Sequence, residues 1–177
     1  LYYHTPQQLG ELLKLCNGVW RTICLLGARA GLRREEIHML AWEDVDFKRG
    51  RLHVTPKDGW EPKDYEQRFI GLASDLRKHL EKLPRRGRWV LGDDRPSLAV
   101  MSAYFQKLTR KAGLTGSIHI LRHTFASHLV QAGESLKVVK DLLGHSSMET
   151  TEIYAELAQE NIDRAILSLP PIPGSTQ

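Results

Sequence analysis

A chain of 177 residues, 41% hydrophobic and 26% charged, is long enough to bury a core and reads as one globular domain. No apolar run reaches the length of a membrane span, and the first residues do not read as a signal peptide. The net charge of +4 favours a polyanionic partner without specifying one.

Two cysteines, Cys16 and Cys24, form no Cys-x-x-Cys pair, so a zinc ribbon or a thioredoxin-like centre has no support. Both fall in stretches that read as apolar helix, which predicts buried free thiols and a reducing, cytoplasmic compartment. The chain starts at Leu1 rather than Met, as expected of a fragment or a processed form.

The predicted elements begin with Thr5-Pro6-Gln7-Gln8, an N-cap, a proline at N1 and a capping-box glutamine. Leu9, Leu12, Leu13 and Cys16 make its apolar face. A second helix is predicted from Val19 to Ala30, stopped by Gly31, and a short one from Arg33 to Leu40. The pattern breaks after Trp42. Arg51 to Thr55 and Arg68 to Gly71 read as strands joined by a turn-rich loop, and Trp89 to Leu91 as an edge strand of the same antiparallel sheet. Ser97 then caps a helix through Lys111, Ser117 one through Val130, and Ser135 one through Leu143 that Gly144 stops. Two last helices are expected over Met148–Leu157 and Glu160–Leu169, before an irregular Pro-rich tail over 170–177. The class is α+β, mainly helical, with a small antiparallel three-stranded sheet.

Basic residues cluster at Arg29/Arg33/Arg34, Lys48/Arg49/Arg51, Lys82/Arg85/Arg86/Arg88 and Lys107/Arg110/Lys111. Each cluster is a phosphate-contacting patch or a solvated face. Sharper signals lie in three short stretches. On the helix after Ser117, His119, Arg122, His123 and Ala126 share one arc at helical spacing, and Leu121, Phe125 and Leu129 another. The second arc is expected to face the core, leaving His119 and Arg122 on an accessible edge near the helix N-terminus, where an anion is favoured. Arg33 has a similar setting after Gly31, with Glu36 placed to orient its guanidinium. Two such guanidiniums suit a phosphodiester under attack, whose charge gathers on its non-bridging oxygens. Tyr154, nine residues after His145, is the candidate nucleophile. A free tyrosine has a pKa of about 10, so it needs help in losing its proton. Lys57, on the loop between the strands, is placed to protonate the leaving oxygen.

Gly31-Leu32-Arg33-x-x-Glu36, His119-x-x-Arg122-His123-Thr-Phe-Ala-Ser-His-Leu, and Leu-Leu-Gly144-His145-Ser-Ser followed by Tyr154 resemble the three boxes of the tyrosine recombinase, or phage integrase, family, near its Xer-type and mobile-element members. Lys57, 24 residues after Arg33, matches that family's β-hairpin lysine. The resemblance covers about Thr5 to Leu169. It implies the tyrosine recombinase catalytic fold over residues 1–169, with the family's N-terminal core-binding domain absent from this chain. It implies a DNA integrase or recombinase that breaks and rejoins strands through a 3′-phosphotyrosine link, with no cofactor. Arg33 and Arg122 would clamp the scissile phosphate and His145 would hydrogen-bond it. His119 would move the proton of Tyr154, Lys57 would be the general acid, and Glu36 and His123 would support. Arg34 stands as an alternative to Arg33, and Lys63 to Lys57.

The implied partners are a double-stranded recombination site, further copies of the chain (a tetramer on DNA, a monomer as an isolated fragment) and an accessory DNA-bending protein. The implied setting is a bacterial or archaeal cytoplasm, at the nucleoid. The helix over Glu160–Leu169 docks either on its own core or on a neighbouring protomer. Three other readings stand beside this one: an inactive DNA-binding module of the same fold, a type IB topoisomerase, and a metal-dependent hydrolase using the i,i+4 pair His119 and His123.

Overall fold

The Thr5 hydroxyl accepts from the Gln8 amide at 3.2 Å, and the Gln8 side chain accepts from the Thr5 amide at 2.9 Å. This reciprocal cap starts helix α1, Pro6–Lys14, in the computed structural model, which describes residues 3–63, 67–144, 154, 157–159 and 161. Helix α2, Gly18–Ala30, ends on Gly31 in the left-handed region at φ 62°. A Cβ on Gly31 would lie 2.4 Å from Phe125 Cδ1, so the turn and the packing both demand glycine. Helix α3, Arg34–His38, is shorter than expected. Cys24 lies in α2, whereas Cys16 lies in the connection beyond α1; both thiols are buried and free, with sulfurs 3.6 Å apart.

After α3 the Asp44 carboxylate accepts from the Ala41 amide at 2.8 Å and closes a 3₁₀ turn, Trp42–Asp44. That turn delivers Val45–Asp46 as strand β1. Strands β2, Arg51–Val54, and β3, Arg68–Gly71, complete an antiparallel sheet in the order β1-β2-β3. Here the sequence expectation needs correcting. The third strand is β1, and Trp89 makes only an isolated bridge to Ala41. Two residues are too few to show the alternation that marks a strand. The register pairs Leu52 with Ile70 and Val54 with Arg68, and all four are buried. On the other face Phe69 stacks on His53 at 4.3 Å under the Arg51 guanidinium.

Helix α4, Ser74–Lys82, was not foreseen; only Leu76 and Leu80 signal its buried stripe. Helix α5, Leu98–Lys111, begins under the Ser97 hydroxyl as predicted. Helix α6, Ile120–Gln131, starts later than expected, because the Ser117 carbonyl first accepts from Ile120 in a tight turn. Helix α7, Leu136–Leu143, is capped by Ser135 and stopped by Gly144 at φ 61°. Tyr154, residues 157–159 and Asn161 are helical; the rest of the two expected C-terminal helices, the residues 145–153 and the tail lie outside the described residues.

Helix α2 packs along α6 and contributes Ile23, Leu25 and Leu26 to one hydrophobic core, which Leu12, Leu52, Ile70, Leu76, Met101 and Leu121 join. Phe125, Ala126, Val130, Val139 and Leu143 form a second cluster, and Tyr154 is its largest member. Helix α6 lies between the two clusters and is buried almost all round. This is why the expected accessible arc fails at Arg122, which is 3% exposed, although His119 is exposed as expected. Among the described residues no helix is long and apolar enough to cross a membrane.

Candidate active site

Arg33 sits at the N-cap of α3, 7% exposed, where Gly31 ends α2. Its backbone amide donates to Glu36 Oε2 at 2.8 Å, and its Nη1 donates to Glu36 Oε1 at 3.3 Å. The stronger claim on Glu36 comes from β3. Arg68 Nη1 donates to Oε1 at 2.9 Å and Nη2 to Oε2 at 2.7 Å, a two-pronged ion pair buried on both sides. Burial pushes the Glu36 carboxyl up, but Arg68 and the Arg33 amide outweigh it and hold the group below the usual carboxylate range.

The three buried arginines meet at the end of α7. Arg68 Nε donates to Leu142 O at 2.8 Å, Arg122 Nη2 to Leu143 O at 2.5 Å, and Arg33 Nη2 to Gly144 O at 3.0 Å. A helix C-terminus leaves its last carbonyls unpaired and carries the negative end of the helix dipole. Three successive carbonyls are thus satisfied by three guanidiniums. Arg122 is also anchored to Gly31 O at 2.5 Å, which ties α6 to the turn that presents Arg33. Desolvation, then the Arg33 charge, push Arg122 down to about 9, and Glu36 acts against them. It stays protonated at neutral pH. Among the described residues, Arg33, Arg68 and Arg122 gather around the Glu36 carboxylate in a nearly dry pocket. An anion placed there meets a field that bulk water would screen.

Tyr154 is 2% exposed, and its hydroxyl lies 2.9 Å from His123 Nδ1. Burial pushes the phenol up to about 12, while Arg122 works in the opposite direction. His123 is half-buried; desolvation and then Arg122 lower its pKa, so its ring is neutral near pH 7. His119 remains exposed at the start of α6, its ring edge-on to His123 at 5.7 Å. Its pKa is lowered too, first by desolvation, then by His123, Arg122 and Arg33.

The structure brings Arg33, Glu36, Arg122, His119, His123 and Tyr154 into one neighbourhood. Arg34 is turned away, donating to Glu35 and Ser102, each at 2.6 Å, and does not compete with Arg33. Lys57 opens a tight turn in which Asp58 and Gly59 both have positive φ. Its ammonium is buried against Asp44 at 2.6 Å, whereas Lys63 is exposed. His145 lies outside the described residues. Among those residues no group of three His, Cys, Asp or Glu is placed to hold a metal, and His123 is engaged with the tyrosine.

Sequence reasoning missed Arg68, and it set His123 behind His119. The alternation of β3 held the first signal, since a strand that turns Ile70 inward turns Arg68 inward too. The second had no local signal, because 31 residues separate His123 from Tyr154.

Residues 3–161 match the model of the phage integrase family. The chain is 34% identical over 155 residues to the tyrosine recombinase XerA of Thermococcus kodakarensis, across 82% of this chain and 53% of that protein. It spans about half the length of the curated relatives it matches. The catalytic domain of bacteriophage HP1 integrase superposes with a TM-score of 0.71 at 25% identity, covering 100% of this chain and 99% of that one. The Tn1549 transposon integrase, solved in complex with transposon right end DNA, superposes with a TM-score of 0.74 at 21% identity, covering 93% and 66%.

Proposed function

This chain belongs to the phage integrase family, and on that premise we propose that it is the catalytic domain of a site-specific DNA recombinase acting through a covalent 3′-phosphotyrosine. The observation that carries the reading is the Tyr154 hydroxyl at 2.9 Å from a neutral imidazole, with both groups feeling the charge of the buried Arg122.

Tyr154 Oη attacks the scissile phosphorus. The new P–O bond forms as the bond to the 5′ oxygen breaks. The phenol proton passes to a histidine: His123 by its contact, with His119 beside it. Lys57 gives the 5′ oxygen its proton, and Arg33 and Arg122 hold the non-bridging oxygens as their charge grows. His145 adds a hydrogen bond to the phosphate. A 5′-hydroxyl from a partner strand then displaces the tyrosine. The number of phosphodiester-type links is unchanged, so the cycle draws on no nucleoside triphosphate.

The substrate is a double-stranded DNA site; the Tn1549 integrase was solved in complex with transposon right end DNA. Lys107, Arg110 and Lys111, exposed along α5, supply backbone contacts. A tetramer forms on the DNA, joined by a DNA-bending protein, in the cytoplasm at the nucleoid.

Nicked duplexes taken from the DNA flanking the gene test the reading. The nick lets the leaving strand diffuse away, so a protein–DNA adduct is trapped and survives denaturing electrophoresis. The parent is expected to form it and Tyr154→Phe to form none while still binding the duplex. A parent that forms none on its true site overturns the enzyme in favour of a binding module. Supercoil relaxation without strand exchange between two sites would point to a topoisomerase.

A further inference from the structure

We propose that Cys16 and Cys24 are a redox pair: a hydroperoxide oxidises them to an intramolecular disulfide that staples the turn after α1 to helix α2. Cys16 precedes the N-cap of α2, whereas Gly31, whose carbonyl anchors Arg122, follows its last residue. The pair is therefore separate from the phosphate site and does not depend on the recombinase reading.

The two sulfurs lie 3.6 Å apart across eight positions, Cys16 7% and Cys24 1% exposed. A disulfide bond of about 2.05 Å requires them to approach by about 1.5 Å more. Cys24 is fixed in the middle of α2, but Cys16 stands between the C-cap of α1 and the N-cap of α2. The movement therefore falls on a connection rather than on two packed helices. Cys16 Sγ donates to Leu12 O at 3.2 Å. With that proton engaged, Cys24 is the partner that donates to the Cys16 sulfur.

The two thiols differ as an attacking and a resolving thiol do. The hydrogen bond from Cys24 holds the Cys16 thiol below its ordinary value, burial works against it, and the Arg21 charge adds to the lowering. The same hydrogen bond, then burial, push the Cys24 thiol well up. Arg21 is kept close because its Nη1 donates to Leu13 O at 2.8 Å. The Cys16 thiolate attacks one peroxide oxygen. The S–O bond forms as the O–O bond breaks, and the other oxygen leaves as water or an alcohol with the proton that Cys16 lost. The Cys24 sulfur then attacks the Cys16 sulfenic acid. The S–S bond forms as the S–O bond breaks, and the hydroxyl leaves as water with the Cys24 proton. The two thiols give up two electrons and the peroxide accepts them.

Hydrogen peroxide added to the reduced chain, followed by alkylation under denaturing conditions and intact mass measurement, tests the pair. The untreated chain is expected to take up two alkyl groups. The treated chain should take up none, weigh less by two hydrogens and stay a single chain on a non-reducing gel, and dithiothreitol should restore both thiols. Two thiols that stay alkylatable at a dose that oxidises free glutathione in a parallel tube overturn the proposal, and so do disulfides formed only between chains. This measurement needs no variant, so a misfolded one does not obscure it. Dimedone, which captures sulfenic acids, reads the order of attack: Cys24→Ser should be labelled at Cys16 at least about tenfold faster than Cys16→Ser at Cys24. Equal labelling overturns Cys16 as the attacking thiol. The oxidised parent should melt roughly 2–8 °C above the reduced one, with no shift in peroxide-treated Cys16→Ser. A disulfide that forms and leaves the Tm unchanged overturns the staple.

Discussion

His123 Nδ1 stands 2.9 Å from the Tyr154 hydroxyl, across 31 residues of sequence. Burial raises the phenol to about 12 and lowers the imidazole, so both partners are neutral near pH 7 and joined by one shared proton. A neutral imidazole can take the phenol proton as the oxygen attacks; a protonated one cannot. His123→Ala is therefore expected to slow adduct formation by roughly 10²–10⁴-fold. In the parent the rate should fall as pH drops through a value below about 6.5, where His123 gains its proton. That inflection should vanish in the variant. A variant with the parent's pH–rate profile would remove His123 from the proton transfer.

Acid should destabilise the fold before it titrates carboxylates. His4, His38, His79, His119, His123 and His128 all have lowered pKa values, desolvation being the first cause for each. Between those folded values and the unfolded value of about 6.5, the unfolded chain binds more protons. Stability is therefore full above that window and lost as pH falls through it. Glu36, lowered in the fold, adds a further loss only at more acid pH. Thermal melts should show a Tm at pH 5.5 below that at pH 7.5; an unchanged Tm contradicts the burial of these rings.

Gly31→Ala probes the junction of α2, α3 and α6. A Cβ there meets Phe125 Cδ1 at 2.4 Å, and φ is 62°. Backbone strain of this kind costs about 1–3 kcal/mol, and overpacking adds to it. Because the Gly31 carbonyl accepts from Arg122, the clamp should move with the turn. Urea denaturation should report the lost stability, and adduct formation should slow beyond what the unfolded fraction explains. Parent-like kinetics in the folded protein would separate the turn from the clamp.

The general acid is tested by the leaving group. Lys57 is buried against Asp44 and Lys63 is exposed. Lys57→Met should slow cleavage by roughly 10²–10⁴-fold on an ordinary phosphodiester, and Lys63→Met should leave the rate unchanged. A 5′-bridging sulfur leaves without a proton, so on that substrate the Lys57 variant should match the parent. A persistent deficit there would assign Lys57 to another task.

Glu36 can be read for its structural weight as well. Removing one member of a buried ion pair leaves an uncompensated charge, at a cost of about 3–5 kcal/mol. Glu36→Ala, which strands Arg68 beside Arg33, should lower the urea midpoint accordingly. A loss below about 1 kcal/mol would mean that water or another acceptor replaces the carboxylate.

The helix ends that flank the site were legible because their signals are local. The Thr5–Gln8 cap and the Gly31 and Gly144 stops depend on residues a few positions apart, where steric and hydrogen-bonding rules act without the rest of the chain. The exposure of Arg122 was misjudged for a related reason. Helical periodicity assumes one wet face, and α6 has almost none because α2 covers one side and the Tyr154 cluster another. Strand β1 was missed because it exists only by pairing with β2.

The amino-acid sequence by itself determined which chemical groups are present and which helix ends and strands carry them, since capping, glycine turns and side-chain period are short-range. The tertiary structure alone decided how the buried charges are arranged and which imidazole meets the tyrosine. Arg68 reaches Glu36 from another strand, three arginines converge on the carbonyls ending α7, and His123 meets Tyr154, because only packing brings such distant residues into a space dry enough for their charges to be felt.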